Sequence, residues 1–224
     1  MQHKPVCLDS CDSYLYSAVP TAYFSSLTDA ISIEIIGKLN YPLSTHCYLF
    51  NLLGSYASYS GIYTYIAFSG NTIGTYAHSA TTHYLCNSNI LLNLNRPIHC
   101  IVTFDKILLS HHMNGFLNLG SVSMLESIQF SAGNYVCFGT SPHNGIEGQL
   151  FIIYNKCLSN DELIHRFRHP WSYQHHIDAG ECAFVLDPSK SPMYSYNLAT
   201  NEYVGNHYGS VFSRPLTIGV GEFV

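Results

Sequence analysis

Alternation of apolar and polar residues marks most of this chain as strand. In Ile31 to Leu39 the isoleucines at 31, 33 and 35 alternate with Ser32 and Glu34. That period of two predicts Ile31, Ile33 and Ile35 facing a core, with Ser32 and Glu34 turned outward. Cys47 to Leu53, Ile62 to Phe68 and Ile73 to His78 read as further strands, broken at Gly54 and Gly70-Asn71. Arg96 to Gly115 (RPIHCIVTFDKILLSHHMNG) predicts a hairpin, with Asp105-Lys106 as its turn and Asn114-Gly115 as the next one. Asn134 to Gly139 and Gln149 to Tyr154 are strands again, whereas Leu117 to Gln129 has no clear period.

One stretch changes period. Ser159 is a good helix N-cap, Glu162 stands where a capping box needs it, and Leu163, Ile164 and Phe167 share a helical face that Pro170 ends. Strands at about ten-residue spacing, glycine-bearing turns and one short helix predict an all-β, two-sheet antiparallel sandwich. After Trp171 the texture shifts toward Tyr, Asn and Pro. The expected division is a sandwich over 1–171 and a β-rich C-terminal extension over 172–224, packed on the sandwich or on a neighbouring subunit.

Composition narrows the function classes. Apolar residues make up 47% of the 224 positions, enough for a sizeable core, but charged residues only 10%, against roughly 25% in an ordinary domain. The surface is expected to be covered by Ser, Thr, Asn, His and Tyr. Nine Lys plus Arg and a net charge of −5 give nucleic acid no electrostatic footing. No apolar run reaches the ~18–20 residues of a membrane helix, and MQHKPVCLDS lacks the apolar centre of a secretory signal. Synthesis in a cytoplasm without a cleaved signal is the expectation. The eight cysteines read as reduced thiols, several of them within apolar strands; Cys7 and Cys11 are the pair most worth testing for a bond.

Several short motifs share one order. Leu8 to Leu15, Ile31 to Ile36, Pro97 to Asp105, His112 to Gly115, Val136 to Gly139 and Ile153 to Leu163 together resemble the concanavalin A-like jelly rolls of the laminin-G type. The closing Ile-Tyr-Asn-Lys-Cys-Leu-Ser-Asn-Asp-Glu-Leu run is the closest of these to the family pattern. His169-Pro170-Trp171 is similar to the Asn-Pro-Trp tail of the family's members in phage virions. The resemblance implies a jelly roll over about Leu8 to Trp171. Departures are Ser10 in place of a glycine, Pro97 in place of a tryptophan, and Gln149-Leu150 where the family often carries an acidic residue near calcium.

Candidate chemistry is sparse. Calcium needs several oxygen ligands, and Asp9, Asp12 and Glu147 are donors only if the N-terminal turn meets the 141–148 loop; otherwise they are turn formers, and no cofactor is expected. Thirteen His include His165 and His169 four apart and the pairs His111-His112 and His175-His176. Without Cys-x-x-Cys or His-Glu-x-x-His spacing they read as surface histidines. Glycoside hydrolysis requires two carboxylates across a cleft; Glu34 and Glu126 are isolated in the sequence, so no enzyme is expected. Sugar binding uses aromatic faces bordered by polar side chains. Tyr56, Tyr59, Tyr63, Tyr65 and Tyr76 with Asn51, Asn71 and His78 have that composition, as do the loops carrying His143 and Asn144. The narrowest glycan-binding set is Tyr56, Tyr59, Asn71, Tyr76, His143 and Asn144.

Two functions follow as expectations. The resemblance implies a virion structural or decoration protein on a capsid or tail, contacting other virion subunits or its own copies at the virion surface. The alternative is a carbohydrate-binding module that attaches to host-surface glycans, with an extracellular setting.

Overall fold

The computed structural model describes residues 6–7, 14–17, 27, 29–39, 47–53, 60–67, 72–89, 96–130, 136–138, 146–187, 190, 196–203, 206–208 and 212–213. Two antiparallel sheets face each other. The first has six strands in the order β10 (Phe116–Ser123), β9 (Leu108–Met113), β8 (Pro97–Phe104), β3 (Ile31–Leu39), β12 (Ile146–Tyr154) and β13 (Cys182–Leu186). The second has seven: β16 (Asn206–Tyr208), β2 (Tyr14–Ser17), β11 (Val136–Phe138), β4 (Cys47–Leu53), β5 (Gly61–Ile66), β6 (Thr72–His78) and β7 (His83–Asn89). Two short pairs complete the strands, β1 (Val6–Cys7) with β17 (Phe212–Ser213) and β14 (Tyr196–Asn197) with β15 (Glu202–Tyr203). The segment after Trp171 thus supplies an edge strand to each sheet, β13 beside β12 and β16 beside β2. The fold is an all-β sandwich of two antiparallel sheets, as the strand spacing predicts.

The expected hairpin forms. Asp105 accepts backbone N–H bonds from Ile107 at 3.0 Å and Leu108 at 2.7 Å, and Lys106 takes a left-handed φ of 75°. At the other end Asn114 and Gly115 both have positive φ, and the Asn114 side-chain oxygen accepts from the His99 amide at 2.8 Å. Leu117 to Ser123, without period in the sequence, belongs to β10, whose pairing with β9 slips between Phe116 and Gly120.

Ile31, Ile33 and Ile35 pack between the sheets with Leu49, Phe50, Ile62, Ile73, Val102, Phe104, Phe151 and Ile153. The other face of the six-stranded sheet is covered as well. Ile36, Ile101, Leu150, Ile152, Tyr154 and Val185 pack against Leu158, Leu163, Phe167 and Tyr173, carried by or next to α1 (Asn160–Arg168) and the segment leading into a second helix, α2 (Gln174–Asp178). The Ser159–Glu162 capping box is present: Glu162 accepts from the Ser159 amide at 2.8 Å, and Ser159 accepts from the Glu162 amide. Burial on both faces explains why all eight residues of β8 are buried and why FIIY in β12 reads as an unbroken apolar run.

It also corrects the expectation for Glu34. Its side chain does not face water and is not isolated. It is fully buried under α1, where Arg166 donates to both carboxylate oxygens at 2.9 Å. Tyr154 donates to Glu34 at 2.6 Å, and a His99 ring nitrogen lies 2.7 Å away. Burial alone would raise the Glu34 pKa; the Arg166 charge and the His99 bond outweigh it and hold the carboxyl well below its usual range. Arg166 also donates to the carbonyls of His169 and Pro170, tying the end of α1 to the same point. Ser32, likewise predicted outward, accepts from the Leu158 amide and donates to the Lys156 carbonyl, both at 2.9 Å. The second face is buried under helix, so the outward half of the alternation became a polar anchor.

Some of the histidines need the same correction, whereas His165, His169 and His175 are exposed as expected. His78, His99, His111, His112 and His176 are buried. His111 points between the sheets, with one ring nitrogen 2.6 Å from the Thr75 hydroxyl and the other 2.8 Å from Ser88. Thr75 pairs in turn with Thr64 at 2.6 Å. This polar seam joins β9 to β5, β6 and β7. Gly120 allows the close approach there, because a Cβ at that position would collide with the Ser88 hydroxyl and the Asn87 carbonyl. His112 faces the other way, where it accepts from the Asn118 amide at 3.1 Å and meets Thr103 at 3.0 Å. Among the described cysteines Cys86, Cys100, Cys157 and Cys182 are free; Cys11 lies outside the described residues, as does the Cys7 side chain.

Arg166→Ala leaves Glu34 buried without its charged partner, and the expected loss is about 3–5 kcal/mol of unfolding free energy, measured by denaturant titration. Burial, aided for His111 by His112, lowers both imidazole pKa values from 6.5 to about 4. The unfolded chain therefore takes up these protons before the folded one does. Stability is complete above pH 6.5 and falls as the pH drops toward 4, with an uptake on unfolding of about two protons from this pair. Denaturation midpoints between pH 7.5 and 4.5 measure it, and His112→Asn should remove about one of the two protons.

Candidate functional site

With α1 and its neighbours over one sheet, the outward face of the seven-stranded sheet carries the aromatic residues. On β5, Ile62, Thr64 and Ile66 point to the core, which sends Tyr63 and Tyr65 to the outer face. On β6, Ile73, Thr75 and Ala77 point inward, and Tyr76 and His78 outward. Register then sets the pattern: Tyr63 is opposite Tyr76, Tyr65 opposite Gly74, and His78 opposite His83 of β7.

These rings form one stacked row on the outer face, with Tyr63 and Tyr65 tilted by 37° to one another. Tyr63 and Tyr76 stack at 5.1 Å with 24° between their planes, and Tyr65 and Tyr76 at 6.0 Å with 20°. His78 lies 6.1 Å from Tyr63 and 6.4 Å from Tyr76, within 25° and 17° of parallel. His83 closes the edge, 6.1 Å from Tyr76 and 6.0 Å from His78. Such offset contacts suit the ring quadrupoles. Gly74 makes room for one of them: a Cβ there would lie 2.6 Å from the Tyr65 ring. The tyrosines are half-buried and His83 is exposed. Burial, with the nearby His83 adding to it, lowers the His78 pKa and favours its neutral form.

Of the residues singled out in the sequence, Tyr76 is at the centre of this cluster, and Tyr63, Tyr65 and His78 surround it. Asn51 is opposite Tyr63 in the β4–β5 register. Tyr56, Tyr59, Asn71, His143 and Asn144 lie outside the described residues, as do Asp9, Asp12 and the side chain of Glu147. Sequence composition missed His83, which only strand register places beside His78. It also missed Gly74, whose value is the absence of a side chain opposite Tyr65.

Two other clusters have chemical potential. Glu162, His176 and Glu181 bring three ligand atoms close together, but the Lys156 ammonium already bonds Glu162 at 2.6 Å and Glu181 at 2.9 Å, and His176 bonds Glu181 at 2.7 Å. Burial opposes ionisation of Glu162, yet the bond from Lys156 prevails and its pKa falls to about 2. Glu34 and Glu126 do not face one another as a hydrolytic pair: Glu34 is enclosed beneath α1, and Glu126 accepts from Thr81 at 2.6 Å beside the β6–β7 turn. No helix among the described residues is long and apolar enough to cross a membrane.

No protein-family model matches the chain, and no curated protein matches it. Solved structures do. The Ruminococcus gnavus IT-sialidase CBM40 bound to α2,3-sialyllactose is 17% identical with a TM-score of 0.56, over 71% of this chain and 95% of that one. The binding domain of botulinum neurotoxin DC in complex with SialylT is 14% identical with a TM-score of 0.52, over 70% of this chain and 42% of that one. The same toxin domain in complex with rat synaptotagmin II is 14% identical with a TM-score of 0.54, over 74% and 45%. This chain spans less than half the length of the toxin domains it matches. At these identities the likeness is one of fold. The shared fold is the antiparallel two-sheet β-sandwich.

Gly74→Ala should displace the Tyr65 ring while leaving the fold intact, since the obstructing atoms are the far end of one side chain. The measurement is the aromatic NMR spectrum: shifts of the Tyr65 and Tyr76 ring protons move, and the melting temperature stays within a few degrees.

Proposed function

We propose that this protein is a non-catalytic, carbohydrate-binding module that holds a glycan against the outer face of its seven-stranded sheet. The observation that carries the reading is the near-parallel set of Tyr63, Tyr65, Tyr76 and His78, bordered by His83. A pyranose ring has an apolar C–H face that packs on such a surface, while its hydroxyls seek polar partners around the rim. The tyrosine hydroxyls and the exposed His83 ring offer donors and acceptors of that kind. Tyr56 and Tyr59, which precede β5 in sequence, Asn71, which lies between β5 and β6, and His143 and Asn144 are proposed as further contacts.

The similar structures support this reading over the virion one. They are binding domains, one bound to α2,3-sialyllactose and one from a neurotoxin type C whose cell entry depends on two ganglioside molecules. Binding also fits better than hydrolysis, because the two carboxylates available for comparison, Glu34 and Glu126, are held apart by structural bonds. Glycans are thus the partners proposed.

A glycan array followed by saturation-transfer NMR on the best hit tests the proposal. The wild-type chain should bind, with the Tyr63, Tyr65 and Tyr76 rings broadened by the sugar. Tyr76→Ala should weaken binding at least about tenfold, near 1.4 kcal/mol, and Gly74→Ala by less. A folded protein that binds no glycan on the array overturns the reading.

A further inference from the structure

At the corner where α1 meets α2, four imidazoles gather within one short stretch of chain, residues 165–176. His165 is in the last turn of α1, His169 caps that helix, and His175 and His176 open α2. The His165 and His169 rings are 4.9 Å apart between centroids, and those of His165 and His175 are 6.0 Å apart. His175 rests on His176 at 3.9 Å. His165, His169 and His175 are exposed, while His176 is buried and turned toward Glu181.

We propose that His165, His169 and His175 form a binding site for a divalent transition-metal ion of the zinc, nickel or copper type. Three neutral imidazole nitrogens are the donor set such ions favour. Rings bound to one tetrahedral ion at about 2.0–2.1 Å from each nitrogen have centroids roughly 5 Å apart; His165 and His169 already stand at 4.9 Å, and His175, at 6.0 Å from His165, has to turn inward to bring its nitrogen onto the same point. The i, i+4 spacing of His165 and His169 puts both on one face of the chain at the end of α1, and the backbone bond from the His169 amide to the His165 carbonyl at 2.8 Å fixes their offset. Exposure leaves the three side chains free to turn their nitrogens onto a common point. The fourth position is open to water.

The neighbouring carboxylates do not compete well for the ion. Glu162 and Glu181 surround the Lys156 ammonium, which already supplies their positive charge. The Arg166 guanidinium beneath α1 is balanced by Glu34, so a dication above it meets little net charge. A bound ion would link α1 to α2 and hold the corner at which the chain leaves the helical layer for β13. This site is independent of the aromatic platform, which is on the opposite sheet.

Isothermal titration of tag-free protein with zinc chloride, with cobalt absorption as a second readout, tests it. One ion per chain is expected, with the visible d–d bands of nitrogen-ligated cobalt and a zinc-dependent rise in melting temperature. His165→Ala, His169→Ala and His175→Ala should each fold normally and weaken zinc binding at least tenfold, while Glu181→Gln binds as the wild type does. Absence of binding overturns the proposal. So does loss of binding in Glu181→Gln with His175→Ala unaffected, which would place the ion on the carboxylates.

Discussion

The Glu34–Arg166 pair decides how the layers of this protein are stacked. It joins the middle of the six-stranded sheet to a helix 132 residues later, with both side chains fully buried. Removing two charges from water costs several kcal/mol each, and their attraction offsets that only where geometry is good and the remaining lone pairs are used. Here they are. Glu34 takes two bonds from Arg166, one from Tyr154 and one shared with His99, and Arg166 places its remaining donors on the carbonyls that end α1. An apolar substitute of the same volume would tolerate a helix sliding along the sheet. A bidentate pair does not, so register of helix on sheet is the property this arrangement confers.

That constraint leads to the exposed surface. With α1 fixed over one face of the six-stranded sheet and the other face packed on the partner sheet, the sheet face left to offer among the described residues is the outer side of β5, β6 and β7. Rigidity reaches it through the interior. His111 connects β9 to Thr75 and Ser88, and Thr75 to Thr64. These residues are on the inward side of the strands whose outward side bears Tyr63, Tyr65, Tyr76 and His78. A ring platform keeps a sugar only if its rings hold still, since each side chain ordered on binding costs free energy. Tyrosines stacked on one another and backed by a bonded strand have little freedom left to lose.

Local features were legible in the sequence and long-range ones were not. The Arg96–Gly115 hairpin, its two turns, the Ser159–Glu162 cap and the inward face of β3 follow from period and turn chemistry, which depend on residues a few positions apart. Glu34 shows the limit. Alternation states that it is opposite Ile33 and Ile35, but not whether the opposite side is water or helix. A second cover over the sheet turned a predicted surface carboxylate into a buried one, and His99 and Ser32 with it. The platform was legible as composition, because tyrosines crowd residues 56 to 76. Its geometry was not: Gly74 and His83 enter only through the pairing of β5 with β6 and of β6 with β7.

The low charge of the chain bears on how such a platform would work. Few charges mean little electrostatic steering, so encounter relies on diffusion and retention on contact. The described platform offers imidazole and phenol but no lysine or arginine, so an acidic sugar would gain from it through its apolar face and hydroxyls rather than through its carboxylate. Structurally similar domains can therefore share a sandwich and differ in what they hold, because the fold sets which sheet face is available and the side chains on its strands set what that face can contact.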